Sequence, residues 1–299
     1  MIPLTLGSSG QAIPAADVLS VVWRTDLVPV PTTVEFSVLD TPENTKALQV
    51  GEHVLVGVDL VPMVLVRVSP VKTQTILEGH RMGALRCIGI FFGCKPLIDP
   101  SPRAVINTGT SFLASVRALG ASPKVGADIP LQQFVCLKGA MPTQALAHYL
   151  QREAAVFCLQ DGRLNVVRID GLFEQPPALV LDQSQFSGQD APVKKSWLLA
   201  DGFAIAEDGS TVEGGDGQGR TMRYMPRLTD REIRNMRRVL VHRGCMVRPL
   251  NLQLQAGQVV EVHGLGVLVV LTAAHHWRTG AMGGVPQAIT KVWLSGLEK

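Results

Sequence analysis

A period-two alternation of apolar and polar residues constrains this chain most strongly, because that pattern is typical of a half-buried β-strand. In residues 33–39, polar side chains alternate with the apolar residues Val34, Phe36 and Val38, which therefore share one face. β-Branched runs broken by Pro and Gly predict further strands over residues 53–58, 62–68 and 84–92. Strands this closely spaced favour a small barrel or sandwich. We expect an N-terminal β-barrel over residues 1–100.

The pattern changes after the proline-rich residues 99–102, which we interpret as a domain boundary. Thr110 or Ser111 can cap a short helix, because apolar residues then recur at helical intervals at Phe112, Val116 and Leu119. Gly120 stands where a left-handed residue commonly ends a helix. This segment therefore predicts a first short helix.

A second helix and a hairpin follow. The helix is predicted to begin at Thr143 and end near Glu153, and one of its faces carries Leu146, Tyr149 and Leu150. The Asp161-Gly162 pair lies between two β-rich runs, which is a strong signal for a β-hairpin. Residues 101–190 are therefore expected to form an α+β domain that contains two helices and a hairpin.

The last third of the chain returns to strand-like patterns. Strands are predicted over residues 196–200, 202–206, 259–262, 266–272 and 288–294. Residues 209–220 contain five glycines, which predicts a mobile loop. Thr229 and Glu232 match a capping box, and the helix they begin is expected to continue one face through Ile233, Met236 and Leu240. Residues 191–299 are therefore expected to form a C-terminal β-barrel with one helix.

These parts predict a mainly β protein with an α+β middle unit: two small tube-like β-barrels and a helix–helix–hairpin domain. Hydrophobic residues make up 46% and charged residues only 18% of the chain, which excludes global disorder. The formal net charge of +3 is too small to predict nucleic-acid binding, and we expect no sequence-specific nucleic acid. No apolar run approaches the roughly 20 residues of a membrane span, and no signal peptide is recognisable, so no membrane insertion is expected.

The five cysteines predict buried thiols. Their number is odd and their spacing is wide: Cys87, Cys94, Cys136, Cys158 and Cys245. Secreted disulfide scaffolds are small and cysteine-dense, and zinc ribbons need C-x-x-C pairs, which this sequence lacks. We therefore expect folding in a reducing cytosol, without a disulfide scaffold or a zinc ribbon.

One concentration of basic residues is present: Arg231, Arg234, Arg237, Arg238 and Arg243. On a helix, positions 231, 234 and 238 would share a face. That face is either a stripe that contacts phosphate or a solvated or partner-facing helix surface. No aromatic residues interleave with the arginines, which argues against stacking of single-stranded nucleic acid.

Motifs for catalysis are missing: the sequence contains no G-x-S-x-G, H-E-x-x-H or Walker loop. A metal site from His263, Cys245 and one of the adjacent pair His275 and His276 is geometrically possible, but ordinary strand histidines explain the same residues. A hydrolase on this scaffold would have to draw on Asp201, Glu207, Asp208 and His275. We assign no catalytic, cofactor-binding or metal residues, and we expect a protein that is not an enzyme and needs no cofactor.

Two stretches carry a resemblance to a known family. The first is FVCLKGAMPT at residues 134–143, followed by the helix and by DGRL at residues 161–164. The second is LQAGQVVEV at residues 254–262, followed by His275-His276-Trp277 and a long final strand. Both resemble the phage tail baseplate hub family, which includes the hub of contractile phages and the barrel portion of VgrG spikes. The chain differs from VgrG, because it carries no repetitive β-helical needle and no lysozyme insert.

The resemblance implies a structural protein of a virion tail baseplate, assembled in the cytoplasm of a bacterial host. Hubs of this family are homotrimers, in which six barrels meet the six-fold tail tube and the three-fold end receives the spike. The implied partners are the tail tube or distal tail protein, the spike or tip protein, other baseplate proteins and the tape-measure protein. Two alternatives stay open: another virion or secretion-apparatus component, and a β-rich cell-wall-directed hydrolase or glycan-binding module. An aromatic content of 5% weighs against stacking on sugar rings.

Overall fold

The computed structural model describes residues 1–77, 80–188, 201–206, 208–214, 222–226, 228–281 and 285–298. Strands dominate this part of the chain. Before residue 100 they are β1 (Leu4–Leu6), β2 (Val18–Asp26), β3 (Thr32–Leu39), β4 (His53–Val56), β5 (Val61–Leu77) and β6 (His80–Phe91). A short helix, α1 (Pro42–Ala47), follows β3, and a 3₁₀ turn spans Phe92–Ile98. The predicted strand over residues 33–39 is confirmed, and its apolar face, Val34, Phe36 and Val38, is fully buried.

The middle of the chain contains α2 (Phe112–Ala118), α3 (Pro142–Arg152) and α4 (Ile169–Leu172). Its strands are β7 (Val105–Ser111), β8 (Pro130–Cys136), β9 (Ala155–Gln160) and β10 (Arg163–Arg168). The predicted cap of the first helix is confirmed at Ser111, whose hydroxyl accepts from the Ala114 amide at 3.2 Å. The hairpin is confirmed as well: Asp161 and Gly162 have φ of 51° and 68°, as a two-residue type I′ turn requires.

Two features of the middle unit escaped prediction. β7 and β8 pair antiparallel, and α2 lies between them in the chain. Neither strand shows clear alternation of apolar and polar residues in the sequence. The core beneath them joins elements far apart in the chain, because Phe112 of α2 meets Phe157 of β9 edge to face at 5.4 Å. Aromatic pairs in this geometry stabilise a core beyond their buried area.

The last third contains α5 (Asp230–Asn235) and the strands β11 (Leu179–Leu181), β12 (Ser187–Gly188), β13 (Asp201–Ile205), β14 (Thr211–Gly214), β15 (Met222–Tyr224), β16 (Val239–Pro249), β17 (Val259–Val262), β18 (Gly266–Arg278) and β19 (Gln287–Glu298). The strands predicted over residues 202–206, 259–262, 266–272 and 288–294 are confirmed. The strand predicted over residues 196–200 lies outside the described residues.

Two predictions for this third were wrong. The capping box at Thr229 is confirmed, but α5 ends at Asn235, and Leu240 lies in β16, where it pairs with Leu297. Strand pairing therefore overrides the helical spacing of residues 233, 236 and 240. Part of the predicted loop 209–220 is a strand, because Thr211–Gly214 pairs antiparallel with β13. The remainder of that loop, from residue 215 onward, lies outside the described residues.

Twelve strands form a single sheet that curls into a half-barrel, which confirms the mainly β fold. The order is β1-β4-β5-β6-β3-β2-β18-β19-β16-β12, with β17 beside β18 and β11 beside β17. The N-terminal and C-terminal thirds meet where β2 pairs with β18, so that Trp23 lies opposite His275. β11, from the expected middle domain, pairs with β17 of the expected C-terminal barrel. The domain limits at residues 100 and 190 remain predictions.

Candidate functional site

A groove opens where the large sheet forks. One edge of β18 pairs with β17 along residues 266–269 and with β2 along residues 272–278. These two neighbours diverge, and a groove of about 950 Å³ lies between them, lined by Trp23 of β2 and Val259 of β17. The hairpin turn at residues 160–163 forms another wall. All three expected domains therefore contribute to one concave surface.

Two apolar side chains lie exposed at this groove. Leu60, in the turn between β4 and β5, is 51% exposed and has φ of +51°. A non-glycine residue in this left-handed conformation is strained, and such strain is concentrated at functional positions. Phe92 is 40% exposed and lies against the His53 ring at 4.3 Å. Exposed apolar residues on a concave surface are typical of an interaction site.

The polar lining of the groove is rich in side-chain amides. Five glutamines contribute: Gln160, Gln175, Gln253, Gln255 and Gln258. The charged residues are balanced in number, two acidic and two basic: Asp59, Asp161, Lys124 and Arg163. Sequence reasoning missed the groove, because sheet pairing brings these residues together from distant parts of the chain and no short motif contains them.

Arginines of the basic concentration pair with carboxylates of the same chain. Arg231 of α5 donates to both carboxylate oxygens of Glu153 at 2.6 and 2.7 Å, and Arg168 donates to the same carboxylate at 3.0 Å. In the opposite direction, Arg152 donates to Glu232 at 2.6 Å. Bidentate arginine–carboxylate pairs are strong and geometrically specific. We call Arg152, Glu153, Arg231 and Glu232 the helix clasp, because they fasten α5 to the end of α3.

The pKa values of Arg231 and Glu232 are shifted within the clasp. Burial raises the pKa of Glu232, but hydrogen bonds from Thr229 and the Arg152 charge outweigh that effect and hold the pKa below its ordinary value. The pKa of Arg231 is raised, first because its guanidinium donates to Glu153. Both groups therefore stay charged, as the pairing requires.

Three other arginines of the concentration also pair within the chain. Arg234 binds Asp230 at 2.5 Å, Arg237 pairs with the buried Asp201, and Arg238 pairs with Asp170. The predicted arginine stripe at positions 231, 234 and 238 therefore does not form a free phosphate-binding face. α5 is also too short for position 238 to lie on it, since the helix ends at Asn235.

The possible metal ligands are not brought together. His275 is fully buried in the sheet, within hydrogen-bonding distance of Thr290 Oγ1 at 2.9 Å, and it packs on the Trp23 ring at 5.4 Å. Its neighbour His276 points to the opposite face of β18. Burial lowers the pKa of His275 to about 4, although the backbone of Leu254 partly opposes this shift. Among the described residues, no group of three or more His, Cys, Asp or Glu could hold a metal ion.

The residues named for a hydrolase have structural partners instead. Asp201 pairs with Arg237, and His275 packs on Trp23. Asp208 lies in the exposed turn after β13, where the Ser210 hydroxyl donates to it and lowers its pKa. Glu207 lies outside the described residues. In the described part of the chain, Asp201, Asp208 and His275 therefore each make separate structural contacts.

The cysteines are free thiols, and four of the five are buried, as predicted. Burial raises the pKa of Cys87, Cys94 and Cys158 to about 12, which makes these thiols unreactive near neutral pH. Cys245 of β16 is half-buried.

A second exposed apolar surface lies on the small sheet β14-β13-β15. One face of this sheet packs on Ile233 of α5, which lies so close to Gly202 that a Cβ there would be 2.6 Å from its methyl group. The other face carries Phe203 and Tyr224, whose rings lie 5.2 Å apart, and the exposed residues Ile205 and Met222. We call this face the outer apolar face.

In the part of the chain that the structure describes, no helix is long and apolar enough to cross a membrane. No protein-family model matches the sequence, and no curated protein matches it.

Solved structures share the fold of the whole chain. The tail protein from Neisseria meningitidis MC58 matches with a TM-score of 0.66 and 14% identity, over 99% of this chain and 96% of that protein. The 43 kDa tail protein of prophage MuSo2 from Shewanella oneidensis matches with a TM-score of 0.64 and 11% identity, over 98% and 97%. A chain of the Francisella PdpA–VgrG complex matches with a TM-score of 0.54 and 6% identity, over 98% of this chain and 57% of that one. The chain therefore has the fold of phage and prophage tail proteins.

Proposed function

We propose that this chain is a structural component of a phage-type tail, and that it is the hub of the baseplate. In this role, three copies form a ring that adapts the six-fold tail tube to a three-fold spike or tip. The observation that carries the proposal is the end-to-end match with two tail proteins, which covers nearly all of both chains. A match of this extent includes the half-barrel sheet, the middle unit and the small sheet together.

The architecture supports an assembly role. Several arginines pair with carboxylates of the same chain, as Arg152 does with Glu232 and Arg231 with Glu153. Leu60 and Phe92 are exposed at the groove, and Ile205, Met222 and Tyr224 are exposed in the small sheet. Contiguous exposed apolar surface is typical of proteins whose neighbours cover it.

We propose that the chain divides as its sequence predicts, into units over residues 1–100, 101–190 and 191–299. In the trimer, the first and third units would be the tube-like barrels that together form a six-part ring, since a closed ring leaves few unpaired strand edges. The middle unit would face other baseplate proteins. The remaining partners of this proposal are the tail tube or distal tail protein, the spike and the tape-measure protein, in a virion assembled in the bacterial cytoplasm.

A second candidate function is a part of a secretion apparatus. The match to a chain of the Francisella PdpA–VgrG complex supports it, because VgrG is named in that complex. The two roles share a structural, non-enzymatic function and differ in the partners. Negative-stain images of the purified chain, alone and with the tube and spike proteins encoded beside it, test the proposal. We expect a three-fold ring around a central hole that gains density at each end, whereas single compact particles in every mixture would refute the hub.

A further inference from the structure

The groove contains an open strand edge. In the hairpin, Leu159 of β9 lies opposite Leu164 of β10. The Leu164 amide donates to the Lys124 carbonyl at 2.8 Å, and the Leu164 carbonyl accepts from the Gly126 amide at 3.0 Å. Both backbone groups of Leu164 therefore point away from β9. Two residues that lie opposite each other in an antiparallel pair either exchange both backbone hydrogen bonds or exchange none. The amide and the carbonyl of Leu159 therefore point away from β10, toward the other edge of β9. Leu159 also lines the groove.

This edge needs a partner. Leu159 is only 4% exposed, and no residue that the structure describes hydrogen-bonds to its amide or its carbonyl. A backbone donor and acceptor that lack partners in the chain favour a ligand that can pair with both. An extended polypeptide supplies the complement, because each of its residues offers both an N–H and a C=O along the strand edge.

The side chains around the edge suit the same ligand. Among the described residues, the side-chain amides of Gln160, Gln253 and Gln255 have no hydrogen-bond partner, so they are available to donate to and accept from a peptide backbone. The balance of two acidic and two basic residues favours a segment without net charge. Leu60 offers an exposed apolar contact for one anchoring side chain.

A glycan fits the groove less well. Trp23 is 1% exposed, so its ring face is not offered for stacking on a sugar, and Phe92 already packs on His53. We propose that the groove binds an extended, uncharged polypeptide segment of a partner protein, which adds as a strand at Leu159 and is anchored on Leu60. This inference goes beyond the hub role and rests on the groove alone.

The test uses the purified full-length chain and two probes: a pool of fluorescein-labelled decapeptides of zero net charge, and chitohexaose. Fluorescence anisotropy measures peptide binding, and deuterium exchange measures protection of the Leu159 amide. Leu60→Asn removes the apolar anchor, and Asn tolerates the left-handed backbone, so the fold is kept. Val58→Asn is the matched control, because Val58 is exposed in the same turn but does not line the groove. Ser122→Trp blocks the groove from another wall.

We expect the neutral decapeptides to bind and to slow exchange at Leu159. Leu60→Asn should weaken binding about tenfold, Ser122→Trp should abolish it, and Val58→Asn should leave it unchanged. Binding of chitohexaose alone, binding of neither probe, or self-association that Leu60→Asn abolishes would each overturn the proposal. In the first two of these outcomes, a trimer would still support the hub, so the two proposals fail separately.

Discussion

Glu153, at the end of α3, accepts hydrogen bonds from both terminal nitrogens of Arg231, which lies 78 residues later in α5. Glu153 is 2% exposed, and its buried carboxylate accepts hydrogen bonds from Arg231 and Arg168. The helix clasp therefore connects the small sheet, through α5, to the end of α3.

Removing Arg231 should destabilise the chain, because it leaves a buried carboxylate with fewer donors. We expect Arg231→Ala to lower the free energy of unfolding by about 1 to 3 kcal/mol, measured by urea denaturation. Arg234→Ala is the matched control, since the Arg234–Asp230 pair is exposed on the same helix and should cost less than about 0.5 kcal/mol. Equal losses in the two variants would show that the clasp contributes no more than a surface pair.

Acid should destabilise the chain through His275. Its folded pKa of about 4 lies below the ordinary value of 6.5, because burial disfavours the charged ring. Above pH 6.5 the ring is neutral in both states, and stability is unaffected. As the pH falls from 6.5 toward 4, the unfolded chain binds a proton that the folded chain excludes, so the free energy of unfolding falls by about 1.4 kcal/mol per pH unit.

His275→Gln should reduce this slope and leave the contributions of His148 and His276, whose pKa values burial also lowers. His263→Gln, at an exposed turn position, should leave the slope unchanged. Urea denaturation at several pH values between 4 and 7 measures both variants. A slope in His275→Gln as steep as that of the unchanged chain would assign the acid sensitivity to other groups.

Gly257 should resist substitution, because its φ is +90° and a Cβ would lie 3.1 Å from Cys158 Cβ in the hairpin. Gly266 has a similar φ of +81°, but nothing lies within 4 Å of its Cβ position. We expect Gly266→Ala to cost about 1 kcal/mol for backbone strain, and Gly257→Ala about 2 to 3 kcal/mol for strain and crowding. Calorimetric unfolding compares the two variants. Equal losses of unfolding free energy would mean that the hairpin can move away from a Cβ at position 257 without a further energetic cost.

The thiols should react unequally with a disulfide reagent such as DTNB at pH 8. Burial raises the pKa of three thiols to about 12 and shields them from the reagent: Cys87, Cys94 and Cys158. Cys245 is half-buried, so it should react first in the folded protein. Cys245→Ser should abolish the fast phase, and all remaining thiols should react only on unfolding. A fast phase that persists in Cys245→Ser would contradict this assignment.

Local signals in the sequence predicted local structure well. The hydroxyl of Ser111, the Asp161-Gly162 turn and the Thr229 capping box act within a few residues, and the structure confirms each. The pattern failed where distant pairing decides the outcome. Leu240 continues a helical spacing in the sequence, yet the ladder between β16 and β19 places it opposite Leu297.

The candidate site was beyond prediction for the same reason. Trp23 and Val259 line one groove only because β18 pairs with β2 and β17 on the same edge. The arginine concentration was visible in the sequence, but Glu153, which pairs with Arg231, lies 78 residues away in the chain. Sequence patterns therefore identified the elements and the charged residues, whereas the sheet order determined what they do.

The mass of the chain in solution, measured by multi-angle light scattering, tests the hub most directly. We predict a particle near 97 kDa, three times the 32.2 kDa of one chain, either alone or after addition of the spike and tube proteins, whose own mass is subtracted. A mass of 32.2 kDa at every concentration, and no complex in any mixture, would contradict the account.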